Sequence, residues 1–180
     1  MIWLASGSPR RRQLLEWSQL TVEVHPPEVD ERPRAGEDPV VYAERLAVDK
    51  ALTAPANRLA VAADTVVHLD GTILGKPADD DESIHFLDML SGRWHCVTTG
   101  VCVRHGTRSR AFSVTSEVCF RPLTRPEIIA YAASGEGRDK AGSYGIQGRG
   151  GSLVSEVRGS WTNVMGLPVQ ETLDAIEALR

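Results

Sequence analysis

The sequence predicts an α/β fold in which helices flank a central mixed β-sheet. Three observations lead there. Short apolar runs alternate with helical-period segments along the chain. Val66–Leu69 and Thr72–Leu74 are separated by Asp70-Gly71, a two-residue hairpin signal, so not every strand connection is a helical crossover. The 180 residues suffice for one cored domain, taken as 1–180, with room for two lobes.

The elements follow in order. Met1–Ala5 reads as a short buried strand. Ser8-Pro9 then starts a helix, with Ser8 at the N-cap and Pro9 at the first helical position. Thr21–Val24 alternates like a strand, and residues 26–38 are a Pro- and charge-rich loop. Asp38-Pro39 opens a second helix to about Leu52. Leu59–Ala63 is a continuously apolar strand ended by Asp64, and the hairpin follows. A helix spans about Asp79 to Leu90. Trp94–Val103 and Ser109–Phe120 are long strands on either side of His105-Gly106-Thr107. Thr124–Ala133 is helical, with Glu127 completing a capping box. Residues 135–151 form a glycine-rich loop, Leu153–Val157 a strand and Pro168–Leu179 a terminal helix.

Composition narrows the function classes. A net charge of -4 and a pI near 5.7 argue against a nucleic-acid coat or a membrane-surface protein, while leaving room for a local basic pocket. Cys96, Cys102 and Cys119 show neither CxxC nor metal spacing and read as buried reduced thiols. No signal peptide or membrane-length apolar run is seen, so a cytoplasmic protein is expected.

Five stretches could carry chemistry. "SGSPRRRQLLEW" (6–17) joins a tight turn to a helix start, which suits an anion, yet places Arg10, Arg11 and Arg12 where the helix dipole disfavours cations. A phosphate site and a solvated helix face paired with Glu16 explain it equally. Asp64, in "LAVAADTVV", lies at a strand end, the usual ligand side of an open α/β sheet, although Asp-Thr is also a common turn. Lys50 falls at the edge of the apolar stripe Val40, Ala43, Ala47 and Ala51, either covering apolar surface or pointing into a cleft. Lys76, in "GTILGKPAD", is not in a P-loop: the glycine spacing is one residue short and Pro77 replaces the Ser or Thr. A lysine there can still meet phosphate as a point charge. "GRDKAGSYGIQGRGG" (137–151) is either a flexible turn or a loop built for close approach to a ligand. Tyr144 and Ile146 favour an ordered loop.

Read together, "LASGSPRRRQLL", "ADTVV", "LGKP", "SGRWHCVTTGV", "DKAGSYGIQG" and "NVMGLPVQET" closely resemble, in order from Leu4 to about Thr172, the Maf family of nucleoside triphosphate pyrophosphatases, historically called septum formation inhibitors. The resemblance implies a mixed-sheet α/β fold with a deep cleft between two lobes, related to inosine triphosphate pyrophosphatases. It implies hydrolysis of a nucleoside triphosphate to the monophosphate and pyrophosphate with a divalent cation, Mg²⁺ or Mn²⁺, in a homodimer. Asp64 matches the proton acceptor for the attacking water. Arg11, Thr65 and Gln147 match residues tied to base selection. Ser6, Ser8, Arg10, Lys50 and Lys76 match the lining of the phosphate cleft, and Glu31, in "VDE", an acidic partner of metal or water there, so that Glu31 and Asp64 are the metal candidates. Arg12 lies beyond the SPRR core and is left to solvent. SPRR together with GIQG resembles the branch acting on dTTP and UTP. The branch acting on 7-methyl-GTP carries a tryptophan for the first arginine and lacks GIQG. The alternative function is a non-catalytic regulator of septum formation acting through a protein partner. A nucleic-acid-binding module is disfavoured by the acidic pI and the lack of an aromatic platform.

Overall fold

A computed structural model describes residues 1–180. Seven strands form one mixed sheet. They are β1 (Ile2–Ala5), β2 (Val22–Val24), β3 (Leu59–Leu69), β4 (Thr72–Leu74), β5 (Trp94–His105), β6 (Arg108–Phe120) and β7 (Val154–Arg158). Their order is β2-β1-β3-β5-β6-β7, with β4 paired to β3. β1 is parallel to both β2 and β3, whereas β3/β4 and β6/β7 are antiparallel. The helices are α1 (Pro9–Trp17), α2 (Pro39–Leu52), α3 (Asp80–Leu90), α4 (Arg125–Ala133), α5 (Trp161–Met165) and α6 (Val169–Leu179). The α/β class with a mixed sheet is thus as the sequence predicts. No helix is long and apolar enough to cross a membrane.

The chain forms two compact units. The first comprises Met1–Thr65, Thr99–Val114 and Thr162–Arg180. In it the Asp38 carboxylate accepts from the Val40 and Val41 N–H groups at 2.8 and 3.3 Å and starts α2, with Pro39 at the first helical position. Ala47 and Ala51 of α2 bury against Ala5, Ala62 and Cys102, with Trp3 and Val48 at the margin. The small side chains of the four alanines and Cys102 let the helix backbone lie close to the strands.

The second unit comprises Val66–Thr98 and Thr115–Trp161. Its β3/β4 hairpin turns at Asp70 and Gly71, with φ of 51° and 80°, the pair of positive values a type I′ turn requires. Asp79 caps α3, and Thr124 and Glu127 form the capping box of α4. The glycine-rich segment is ordered by Glu136, whose carboxylate accepts from the Arg149 and Gly150 N–H groups, each at 2.9 Å, and from the Tyr131 hydroxyl at 3.0 Å.

Buried within this unit, the His95 Nε2 meets the Tyr144 hydroxyl at 2.8 Å, and Phe120 packs edge-on to both rings. Burial pushes the His95 imidazole down from 6.5 to about 4. His68 adds to the shift and a backbone hydrogen bond involving Arg93 opposes it. Below pH 6.5 the unfolded chain takes up a proton that the folded chain refuses until about pH 4, so stability falls as pH drops through that window. The expected loss is about 3 kcal/mol across the window. Urea unfolding between pH 7 and 4.5 should show a shallower decline in His95→Gln than in the native protein. Parallel declines would rule out His95 as the source.

The sequence reading needs correction in three places. β3 does not end at Ala63 but runs through Asp64 to Leu69. Ala60–Ala62 pair with β1 and Val67–Leu69 with β4, so neighbouring strands hold both ends, and a lysine meets the intervening aspartate. Of the cysteines, all free, only Cys102 is buried. Cys96 and Cys119 are half-buried because their neighbours His95, Val97, Val118 and Phe120 take the inward positions. The five-residue helix α5 has too few residues to show a period and is not anticipated.

Candidate functional site

The first unit gathers most of the predicted site residues into two linked clusters. One is built around Lys50. Position 50 faces the strands from α2, and the side chain is 7% exposed. Its Nζ lies 2.6 Å from Asp64 Oδ1 and 2.7 Å from Glu31 Oε1. One ammonium is therefore shared by two carboxylates, one from mid-β3 and one from the loop before α2. Glu31 is held through its backbone as well, since the Tyr42 hydroxyl donates to its carbonyl at 2.7 Å. Burial raises the Tyr42 pKa to about 12, and the negative charges of Asp64 and Glu31 add to it, so this donor keeps its proton.

The other cluster is built around Arg11. The residue is half-buried, and each of its three guanidinium nitrogens donates one hydrogen bond. Nε donates to the Gly166 carbonyl at 2.8 Å, Nη1 to Ser6 Oγ at 3.0 Å and Nη2 to Thr65 Oγ1 at 3.0 Å. Desolvation lowers the Arg11 pKa. Asp64 works against this, Arg10 reinforces it and Glu31 again opposes it. The group remains a cation, as any guanidinium does at neutral pH. Ser6 is buried, and its Oγ also accepts from the Ser8 N–H at 3.2 Å. Ser8 itself occupies the N-cap of α1 without a side-chain capping bond.

Arg10 is half-buried on α1, while Arg12 turns outward and pairs with Glu16 at 2.7 Å. In the second unit Lys76 and Gln147 are exposed, Lys76 after β4 and Gln147 in the glycine-rich segment.

Sequence reasoning misses three contributors. Thr99 Oγ1 lies 2.9 Å from Thr65 Oγ1 and donates to the Asn163 carbonyl at 3.1 Å, and Gly166 supplies the acceptor for Arg11. The signal available was a pair of hydroxyls, Thr98-Thr99, inside an otherwise apolar strand.

Glu31 and Asp64 are the residues that could hold a divalent cation of the Mg²⁺ type. No cluster of three or more His, Cys, Asp or Glu side chains exists, but Glu31 and Asp64 converge on one point of positive charge. Such cations are commonly held by one or two carboxylates, with substrate phosphates and waters supplying the rest.

Comparison with known proteins bears on what this arrangement serves. The family described as Maf-like protein matches residues 1–179. The chain belongs to the Maf family. Among its relatives, a protein of Alcanivorax borkumensis named dTTP/UTP pyrophosphatase is 45% identical over 182 residues, covering 98% of this chain and 94% of the relative. Proteins of the same name from Chromobacterium violaceum and Anaeromyxobacter dehalogenans are 47% and 48% identical. They cover 95% and 94% of this chain and 90% and 89% of their own lengths. In this Maf chain, the segments that build the two clusters are SGSPRR, the loop carrying Glu31, the helix carrying Lys50, the ADT motif, Thr99 of β5 and the NVMGLP segment.

Proposed function

We propose that this Maf protein is a nucleoside triphosphate pyrophosphatase that hydrolyses dTTP and UTP to the nucleoside monophosphate and pyrophosphate. The observation that carries the proposal is the Asp64–Lys50–Glu31 cluster beside an arginine anchored at a helix start, in a chain nearly half identical to proteins named for that activity. The family match over residues 1–179 supports reading the chain as one functional domain.

In this reading Asp64 orients a water toward the α-phosphorus and accepts its proton as pyrophosphate departs. Lys50, with Arg10 and Lys76, neutralises charge on the phosphates, and the first turn of α1 adds a favourable dipole. The hydroxyl of Ser6 has both lone pairs occupied by Ser8 N–H and Arg11, so what remains to it is a hydrogen, the polarity a phosphate oxygen needs. Ser8 lies beside it at the same turn. Arg11, Thr65 and Gln147 meet the base. Glu31 and Asp64 would hold a divalent cation, which when bound supplies positive charge to the phosphates. The same proposal makes the enzyme a cytoplasmic homodimer that uses neither membrane nor nucleic acid, a part supported by the family resemblance.

Product analysis tests the reaction. The purified protein should release pyrophosphate and monophosphate from dTTP and UTP in the presence of Mg²⁺ or Mn²⁺. Cleavage of 7-methyl-GTP much faster than either pyrimidine nucleotide, or no cleavage of any triphosphate, would overturn it.

A further inference from the structure

We propose that Thr99 fixes the hydrogen-bond polarity of Thr65, so that Thr65 offers the base a lone pair and no hydrogen, and thereby selects a ring N–H over a bare ring nitrogen. The inference rests on the reading above, in which Thr65 meets the base.

A threonine hydroxyl has one hydrogen and two lone pairs. Thr99 is fully buried, and its hydrogen is spent on the Asn163 carbonyl at 3.1 Å, a partner that can only accept. The 2.9 Å bond between the two threonines then runs from Thr65 to Thr99, since the other acceptor within reach of Thr65 Oγ1, the Gly166 carbonyl, is at 3.4 Å, long for a hydroxyl hydrogen bond. That uses the only hydrogen Thr65 has. Arg11 Nη2, which can only donate, occupies one Thr65 lone pair at 3.0 Å. One lone pair is left, and half-buried Thr65 can offer it outward.

Uracil and thymine match that offer in a single way. Their N1 bears the sugar, so the sole N–H on either base is at N3. Cytosine carries an unprotonated N3, whose lone pair would face that of Thr65. A site whose polar groups are set in advance rejects the mismatched partner because both acceptors are left desolvated and unpaired. Ser6 shows the opposite outcome of the same count. Arg11 thus bridges two hydroxyls of opposite polarity, Ser6 with a hydrogen remaining and Thr65 with a lone pair remaining.

Thr99 is a positioning residue here, acting through Thr65. Thr99→Val keeps its shape while removing the acceptor, and the Asn163 carbonyl retains the Gly166 N–H at 2.9 Å. The Thr65 hydroxyl is then left with only the long 3.4 Å contact to the Gly166 carbonyl as an inward acceptor, and can rotate to donate to N3 of cytosine. The experiment measures kcat/KM for UTP and CTP on native, Thr99→Val and Thr99→Ser proteins. The expected result is a native preference for UTP that falls about tenfold or more in Thr99→Val, through a gain on CTP, and returns in Thr99→Ser. Equal losses on both nucleotides in Thr99→Val, or failure of Thr99→Ser to restore the ratio, would overturn the proposal. A native enzyme that cleaves UTP and CTP alike would overturn it while leaving the pyrophosphatase reading intact. Failure on dTTP and UTP both would remove that reading and this one together.

Discussion

Asp64→Asn should nearly eliminate pyrophosphate release while leaving the protein folded. The substitution keeps the shape and a hydrogen-bonding oxygen, and removes the charge and the basicity. General-base assistance alone is worth about 10²–10⁴ in rate, so kcat should fall by about a thousandfold. The fold should tolerate the change because Lys50 retains a second carboxylate, Glu31, at 2.7 Å. Glu31→Gln makes the comparison informative. Its side chain is 47% exposed against 13% for Asp64, and its loss leaves the strand carboxylate in place. It should reduce activity less than Asp64→Asn does. Steady-state kinetics on dTTP, read beside thermal melts of each variant, decides the matter. A native-like rate in a folded Asp64→Asn protein would remove Asp64 from the chemistry.

The largest expected effect on folding comes from a residue with no functional group. At Gly100 in β5, the backbone of α2 lies so close that an added Cβ would overlap the Ala43 carbonyl and approach the Glu44 nitrogen at 2.5 Å. These are helix backbone atoms and cannot rotate away. Overpacking costs about 1–3 kcal/mol where side chains can yield, and Gly100→Ala should meet or exceed the upper figure. For a chain of this size that corresponds to a midpoint about 6–12 °C lower. Gly75→Ala is the control. A Cβ added there would meet nothing within 4 Å and its φ is ordinary, so its melt should match the native protein. Equal midpoints for the two variants would mean that α2 can shift off β5 at little cost. Because α2 carries Lys50, a Gly100→Ala protein that does fold should also lose activity.

The parts of the fold legible in the sequence are those specified by neighbouring residues. Asp38-Pro39, Asp70-Gly71 and the Thr124/Glu127 pair each announce a local geometry, and each is found. Where long-range partners decide, local reading fails. Asp64 looks like a strand terminator because an isolated charge is costly in a buried strand. Its compensation, Lys50, is fourteen residues away on a helix, and only the fold brings them together. The same holds at the site. Individual cations and carboxylates could be nominated from motifs. That Thr65 depends on Thr99, and Thr99 on a carbonyl sixty-four residues further on, is a property of packing.

The uninterrupted course of β3 through Asp64 and Thr65 makes the site a matter of parity. Consecutive strand residues project to opposite sides, so this dipeptide sends its carboxylate to Lys50 and its hydroxyl to Arg11 and Thr99. The pairing of Trp3, Leu4 and Ala5 with Ala60, Val61 and Ala62 decides which goes where. A one-residue insertion between that pairing and Asp64 would flip both, turning the carboxylate to the side of Arg11 and the hydroxyl to the side of Lys50. Every residue of the site would survive in the sequence, and hydrolysis and base choice would be lost together.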